Sequence, residues 1–265
     1  LVPRARYGDA SPPSRSDSHP MNVDDAYAFC RLITHERGAN FSVGFRFLPR
    51  EKRRAVYAAY AYCRFADDIA DEEKPMSGSP AAGEFLGGDG SREARLEGLD
   101  AWHRQLAACY AGKPGHPVTI PLADALQRFP IPMRPFEALI EGCRQDMVKL
   151  RYETFEELLH YCQLVATSIS DISLPIFGHK TDAAFEYGKN LATALQLTNV
   201  TRDVGDDLTR DRIYLPQEEL RAFGVTEAAL GDQQGSDDVR KLIEFQLDRA
   251  ESYFRAAEPL LDELE

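Results

Sequence analysis

The sequence has few cysteines, no long apolar segment and no excess of positive charge, and each of these features excludes a class of protein. Its five cysteines stand singly, in an odd number and without a CxxC pair, which argues against a disulfide framework or a zinc site. No apolar run reaches the ~18 residues that a membrane-spanning helix needs. The net charge of −12 argues against nucleic acid as a partner, because phosphate binding draws on clustered Lys and Arg. We predict a cytoplasmic protein, and leave peripheral membrane contact and the oligomeric state open.

A secretory signal and strand-like alternation are also missing. Residues 1–20 are rich in Ser, Pro and Arg and lack an apolar core, so they are predicted to be a disordered tail or foreign upstream sequence. Residues 21–265 are expected to form one domain, for which an apolar content of 43% is ample. Because no segment alternates with period two over more than a few residues, we predict an all-α fold of about eight helices around a central cavity.

Helical periodicity and capping residues divide the domain into elements. Helices are predicted over about 24–37, 49–73, 91–110, 118–129, 132–150 and 154–177, then from about 181 and from 236. Residues 74–90 hold five glycines and two prolines, which predicts a flexible loop. The buried face of the last helix is predicted to include Val239, Ile243, Leu247, Ala250 and Phe254.

Two acidic clusters stand on these predicted helices. Asp67 and Asp71 are one turn apart near a helix C-terminus. Asn199, Asp203 and Asp207 follow one another at i, i+4 and i+8 on a later helix, with the two aspartates predicted at its C-terminal end. Carboxylates at a helix C-terminus cost roughly 0.3 to 1 kcal/mol each. Both clusters lie within apolar sequence that draws their helices into the core, so the polar side chains need a partner.

A bound cation explains the two clusters together. Two carboxylate faces turned towards one cavity repel each other unless they are neutralised, and Mg²⁺ prefers oxygen ligands completed by substrate phosphates. We therefore predict Asp67, Asp71, Asn199, Asp203 and Asp207 as metal ligands, for Mg²⁺ or alternatively Mn²⁺. The competing interpretation is a solvated acidic helix end, which explains one such cluster better than two.

Basic and aromatic residues surround the clusters. Arg64, Arg202, Arg210 and Arg212 can clamp phosphate oxygens, although pairing with the adjacent aspartates explains them as well, most readily for Arg210. Aromatic and apolar side chains would line the cavity, suit a long apolar tail and stabilise a carbocation, while each alone also fits an ordinary core. These are Phe41, Phe45, Tyr60 and Leu164.

Three segments resemble the squalene and phytoene synthases, which are head-to-head prenyl diphosphate synthases of the all-α isoprenoid synthase fold. They are YAYCRFADDIADE (60–72), the region of Asp146 and Tyr161-Cys162, and LQLTNVTRDVGDDLTRDRIYLP (195–216). The resemblance covers residues 22 to about 261 and implies that one or two further C-terminal helices belong to the domain. Head-to-tail synthases and terpene cyclases share the fold and the use of acidic motifs to bind metal, but they differ in the last of these segments.

The resemblance implies roles for individual residues. A Mg²⁺ cluster on the five predicted ligands would bridge to the substrate diphosphate, with Arg64, Arg202, Arg212 and catalytic Tyr214 on the diphosphate side. Tyr60, Phe41, Phe45 and Gln196 would line the cavity, and Tyr161 and Asp146 would also lie at the substrate. The implied activity is that of a prenyltransferase of carotenoid or hopanoid biosynthesis. It joins two farnesyl or geranylgeranyl diphosphates through a cyclopropylcarbinyl diphosphate, and NADPH use is left open.

The product is not predicted, because the sequence departs from the family pattern. Thr167, Ser170 and Ala192 stand where relatives commonly have glycines, which allow helix kinks beside the substrate. NFSVGF (40–45) and FADDIADE (65–72) resemble bacterial C30 enzymes, whereas the 198–216 segment fits several product types. The alternatives are a hydroxysqualene-type synthase acting on presqualene diphosphate, a head-to-tail synthase or cyclase, and a non-catalytic assembly-factor-like relative. The complete aspartate sets favour an enzyme.

Overall fold

The computed structural model describes residues 21–37, 44–71, 91–232 and 236–264, and over these residues the protein is helical with two isolated β-bridges. The predicted all-α fold is therefore confirmed. The predicted tail (1–20), the predicted loop (74–90) and Phe41 lie outside the described residues. None of the described helices is both long enough and apolar enough to cross a membrane. All five cysteines are free and buried.

The helices match the predicted segments up to residue 162 and are more finely divided after it. They are α1 (Val23–Arg37), α2 (Arg50–Ala70), α3 (Arg92–Tyr110), α4 (Thr119–Leu126), α5 (Arg134–Val148), α6 (Phe155–Cys162), α7 (Ser168–Phe177), α8 (Ala183–Arg202), α9 (Val204–Thr209), α10 (Gln217–Ala222), α11 (Glu227–Leu230), α12 (Asp237–Ala257) and α13 (Leu260–Glu263). The hydroxyls of Ser91, Thr154 and Ser236 accept hydrogen bonds from the first turns of α3, α6 and α12, as their capping signals predicted.

Helix α2 lies in the centre of the larger core and carries the first acidic cluster at its end. Tyr62 and Phe65 stack on the indole of Trp102 in α3, with ring centroids 4.8 and 5.1 Å apart. The Trp102 Nε1 also donates to the carbonyl of Tyr62 at 3.2 Å. Buried aromatic contacts of this kind fix the last two turns of α2 and so hold Asp67 and Asp71 in place.

The long helix predicted over 154–177 contains a wider turn. A π-helical segment, Gln163–Thr167, separates α6 from α7, and Gly178 with a φ of 81° ends α7. The π-helical segment includes Thr167, one of the positions where relatives commonly have glycine. The helix is therefore irregular here without a glycine. Helix α5 packs closely against this π-helical segment at a glycine of its own. A Cβ on Gly142 of α5 would lie 2.5 Å from Val165 Cγ1.

Gly142→Ala should therefore lower the free energy of unfolding, by about 1 to 3 kcal/mol, because the added methyl group overpacks the α5 contact with the π-helical segment. Its Cβ would also meet Leu164 Cβ at 3.2 Å, which leaves little room for relaxation. Gly205→Ala is the control, since a Cβ built at that position has no atom within 4 Å apart from its chain neighbours and the backbone of its own helix. Urea unfolding of both variants measures the difference, and equal stability of the two would contradict this packing.

The predicted buried face of the last helix is partly wrong. In α12, Ala250 is buried as predicted, but Leu247 and Phe254 are 45% and 37% exposed. The buried positions are Leu242, Gln246, Ala250 and Ala257. The cause is a polar network: the Gln246 amide donates to Glu219 Oε2 at 2.5 Å, and Arg249 Nη2 pairs with Glu219 Oε1 at 2.5 Å. Burial of these groups turns α12 away from the orientation that its apolar residues alone would favour.

Candidate active site

The first acidic motif lies at the C-terminal end of α2. Asp71 caps the helix, and its N–H donates to the carbonyl of Asp67 at 2.9 Å. Cys143 Sγ of α5 donates to Asp67 Oδ1 at 3.5 Å. Burial raises the pKa of Asp67 to about 7, with Arg64 opposing and Asp71 adding to the shift. Asp67 is thus a buried carboxylate that the protein does not fully neutralise, which is typical of residues in functional sites.

The second acidic motif does not lie on one continuous helix, and that prediction is wrong. Helix α8 ends at Arg202, Asp203 forms a bend, and α9 begins at Val204. The hydrogen bonds Asp203 N to Asn199 O and Asp207 N to Asp203 O, both 2.9 Å, keep the four-residue spacing across the bend. Asp207 consequently lies in the first turn of α9, where the helix dipole favours a carboxylate, and not at a C-terminal end as predicted.

Arg212 joins the two motifs. Its Nη1 lies 3.6 Å from Asp71 Oδ1, and its side chain is only 15% exposed. Burial together with the charges of Asp203 and Asp146 raises the pKa of Asp207 to about 6, while Arg212 opposes the shift. The carboxylates of both motifs therefore share one electrostatic environment around a single half-buried guanidinium.

Asp146 holds a group of stacked tyrosines beside this arginine. Tyr161 and Tyr214 donate their hydroxyls to Asp146 Oδ2 and Oδ1 at 2.7 and 2.8 Å. Their rings stack on each other at 5.2 Å, and Tyr152 lies within 5.6 Å of both. Burial raises the pKa of Asp146 although both hydroxyl donors oppose the shift. Predicted as a substrate residue, Asp146 in the structure orients Tyr161 and Tyr214.

Two of the other predicted arginines, Arg64 and Arg202, pair with neighbouring aspartates. Arg64 Nη2 lies 2.6 Å from Asp68 Oδ1. Arg202 Nε and Nη2 donate to the two oxygens of Asp203, both at 2.6 Å, which holds the pKa of Asp203 below its usual range. Arg202 is 65% exposed, and ion pairs at the protein surface contribute little to stability. Arg202 can therefore exchange its carboxylate for a phosphate at little cost, whereas the side chains of Arg64 and Asp68 are only 21% and 12% exposed, so separating that pair costs more.

The predicted ligands do not form a ready-made metal site. In the described part of the chain, no three Asp, Glu, His or Cys side chains are close enough together to hold an ion. The donor set nevertheless fits Mg²⁺, which typically binds one or two carboxylates and completes its shell with water and substrate phosphates. Desolvated carboxylates on both sides of Arg212, with the half-buried Asn199 on α8, offer such hard oxygen donors.

The residues predicted to line the cavity lie in different environments. Tyr60 is half-buried one turn before Arg64, and burial raises its pKa. Phe45 packs edge-on against Tyr57 at 6.2 Å and so belongs to the core. Gln196 is half-buried on α8, and Leu164 lies in the π-helical segment. Sequence reasoning missed Tyr152 and Cys143, whose only signals were an aromatic before the α6 cap and a cysteine one turn before Asp146.

The raised pKa of Asp67 predicts a pH dependence of metal binding. A carboxyl whose pKa is higher folded than unfolded stabilises the fold less as pH rises, so the metal-free protein should lose stability between about pH 4 and about pH 7. Excess Mg²⁺ competes with the proton and should raise the melting temperature more at about pH 8 than at about pH 5. Thermal unfolding with and without Mg²⁺ measures this. Asp67→Asn should remove most of the difference, and equal stabilisation at both pH values would contradict the assignment.

Comparison with known proteins identifies the family of the chain. The family model "Squalene/phytoene synthase" matches residues 34–265. A phytoene synthase of Arthrospira platensis is 37% identical over 252 residues, which are 90% of this chain and 76% of the relative. A 15-cis-phytoene synthase of Synechococcus elongatus is 36% identical over 258 residues, covering 93% of this chain and 79% of the relative.

Solved structures give the same result. A dehydrosqualene synthase superposes with a TM-score of 0.79 at 30% identity, covering 92% of this chain and 79% of that one. A squalene synthase from Alicyclobacillus acidocaldarius superposes with a TM-score of 0.79 at 33% identity, covering 92% and 86%. Both motifs and the segments that join them lie within the matched residues. The chain therefore belongs to the squalene/phytoene synthase family, the head-to-head prenyltransferases of the all-α isoprenoid synthase fold.

Proposed function

We propose that this protein condenses two molecules of one allylic prenyl diphosphate head to head in a reaction that depends on Mg²⁺, or on Mn²⁺ in its place. The observation that carries the proposal is the contact between Arg212 and Asp71, which brings the 67–71 and 199–207 motifs to a common site. A diphosphate bound there meets the half-buried guanidinium of Arg212, with carboxylates of both motifs beside it. Family membership supports the same reaction class.

The ionic side chains would bind and release the diphosphate. Bound to the motif oxygens of Asp67, Asp71, Asn199, Asp203 and Asp207, Mg²⁺ would neutralise the diphosphate and favour its departure. Arg212 donates to phosphate oxygens from a fixed, half-buried position, while Arg64 and Arg202 leave their aspartate partners to do so. Loss of diphosphate from the first substrate leaves an allylic cation at C1.

The aromatic side chains would exclude water and stabilise that cation. The double bond of the second substrate attacks C1, and loss of one proton closes a cyclopropylcarbinyl diphosphate. Departure of the second diphosphate then allows rearrangement to the linear hydrocarbon. The half-buried Tyr60 offers a ring face to positive charge, whereas the Tyr161 ring stacks on Tyr214. Tyr214, whose hydroxyl Asp146 fixes next to Arg212, is proposed as the catalytic tyrosine at the diphosphate end.

We propose geranylgeranyl diphosphate as the substrate and a phytoene-type C40 hydrocarbon as the product, supported by phytoene synthases at 36% and 37% identity. The second candidate is farnesyl diphosphate with a squalene-type product, supported by solved squalene-type synthases at 30% and 33% identity. A phytoene-type product forms by proton loss, so NADPH is not part of the first proposal. We place the protein in the cytoplasm, in peripheral contact with a membrane that takes up the product.

Product analysis tests the proposal. The purified protein is incubated with each diphosphate, with and without Mg²⁺ and NADPH, and hydrocarbons are identified by mass spectrometry. We expect a C40 hydrocarbon from geranylgeranyl diphosphate, formed with Mg²⁺ and unchanged by NADPH. A C30 product from farnesyl diphosphate would favour the second candidate. Absence of a coupled product from both substrates would contradict a head-to-head synthase.

A further inference from the structure

The residues on both sides of Arg212 are held by one residue outside the motifs, Arg151. On one side, the Arg151 guanidinium donates from Nη1 to the main-chain oxygen of Asp211 and from Nη2 to Asp211 Oδ1 at 2.8 Å. On the other side, the main chain of Arg151 forms a parallel β-bridge with Ile213, whose N–H donates to the carbonyl of Leu150 at 3.0 Å. The path of the chain through Arg212 is therefore fixed before and after it.

Asp211 adopts a conformation that needs such support. Among the described residues other than glycine, Asp211 alone has a positive φ, of 56°. A residue with a Cβ is disfavoured in this left-handed region, although Asp tolerates it better than most. The left-handed residue ends the turn that follows α9 and directs the next side chain, Arg212, towards Asp71. Two of the hydrogen bonds that Arg151 donates go to this residue with the unfavourable conformation.

Glu227 holds Arg151 from the opposite side. Arg151 Nε and Nη2 donate to Glu227 Oε1 and Oε2 at 2.9 and 3.0 Å, a bidentate pair that keeps the pKa of Glu227 below its usual range. All three guanidinium nitrogens are thereby engaged, and the planar group has one orientation. Networks and bidentate pairs of this kind contribute more than isolated surface ion pairs, even at the 29% exposure of Arg151.

We propose that Arg151, supported by Glu227, is a positioning residue for Arg212: it stabilises Asp211 in the left-handed conformation that directs Arg212 into the diphosphate site. Arg151 itself contacts no substrate in this role. The inference rests on the proposed function, since Arg212 acts there on the diphosphate. It assigns a kinetic effect to a residue that neither acidic motif contains.

Steady-state kinetics of Arg151→Ala test the positioning. The variant should populate the competent conformation less often, raising KM and the Kd for inorganic diphosphate in Mg²⁺ about fivefold while kcat changes little. Adding Asp211→Gly should restore both constants, because glycine adopts a positive φ without strain. Arg221→Ala is the matched control: it removes an exposed ion pair between Arg221 and Glu153 without touching Asp211.

Two outcomes overturn the proposal: an unchanged KM in Arg151→Ala, or a raised KM that Asp211→Gly does not restore. If Arg151→Ala does not fold, Arg151→Lys serves instead, since its single ammonium cannot replace the planar fork. It should raise KM by a smaller factor, again restored by Asp211→Gly. Urea unfolding separates this inference from the proposed function: even in a protein without activity, Arg151→Ala should cost less stability when residue 211 is glycine, and equal costs would overturn it.

Discussion

Asp67→Asn and Asp203→Asn should each lower kcat/KM for the prenyl diphosphate on the order of 10³-fold, measured as diphosphate release in excess Mg²⁺. Each substitution keeps the shape of the side chain and removes one negative oxygen donor, one from each motif. A contribution from both motifs is the expected consequence of a single site shared through Arg212.

Asp206→Asn is the control for this pair. Asp206 lies in the same acidic run but is exposed, and its main-chain oxygen accepts from the Thr209 hydroxyl at 2.6 Å. We expect activity within about twofold of the parent protein, as for surface substitutions in general. A large loss in Asp206→Asn together with a small loss in Asp67→Asn would show that net acidity matters, and not the proposed ligands.

Arg212→Gln should lower kcat/KM about 10²-fold and shift the acid limb of the pH–rate profile upwards. The first effect follows from loss of a fixed phosphate donor. The second follows because Arg212 opposes the rise in the pKa of Asp146 and of Asp207, which lies at about 6 with Arg212 present. Without the arginine, both carboxyls hold their protons to higher pH. Asp207 therefore reaches the deprotonated form that binds a cation only at a higher pH.

Arg210→Gln separates these two effects. Arg210 also lowers the pKa of Asp207, but it is exposed, whereas Arg212 contacts Asp71. We expect Arg210→Gln to move the pH profile slightly and to keep most of the activity at high pH. If the two variants lose activity equally at high pH, the special position of Arg212 is refuted.

Features set by local sequence were predictable. The caps at Ser91, Thr154 and Ser236 depend on a hydroxyl and an N–H three residues later, so their sequence pattern is sufficient. The spacing of Asp67 and Asp71 follows in the same way from the helical repeat of α2.

Features set by tertiary contacts could not be predicted from the sequence. The break at Asp203 replaces a helix that periodicity alone extends, and Gly205 was the only local signal for it. The π-helical segment is matched to Gly142 on another helix, and the orientation of α12 depends on a network centred on Glu219. Periodicity records which residues are apolar, and contains no information about such partners.

The same distinction holds within the site. The acidic motifs could be read from the sequence, but the aspartate partners of Arg64 and Arg202 could not be assigned, since a phosphate clamp and an ion pair use the same residue types. The sequence placed Asp146 at the site, but its hydrogen bonds to two tyrosines are visible only in the three-dimensional structure. Arg151 gave no signal, because it acts through the backbone of a residue 60 positions away.

The central claim is that the two acidic motifs form one Mg²⁺-dependent diphosphate site, and thermal unfolding in the presence of inorganic diphosphate tests it most directly. A ligand that binds only the folded protein raises its melting temperature by mass action. We predict that Mg²⁺ and diphosphate together raise the melting temperature beyond the rise that Mg²⁺ alone gives, and that this further rise is lost equally in Asp71→Asn and in Asp203→Asn. Stabilisation by diphosphate without Mg²⁺, or a further rise that survives either substitution, would contradict the account.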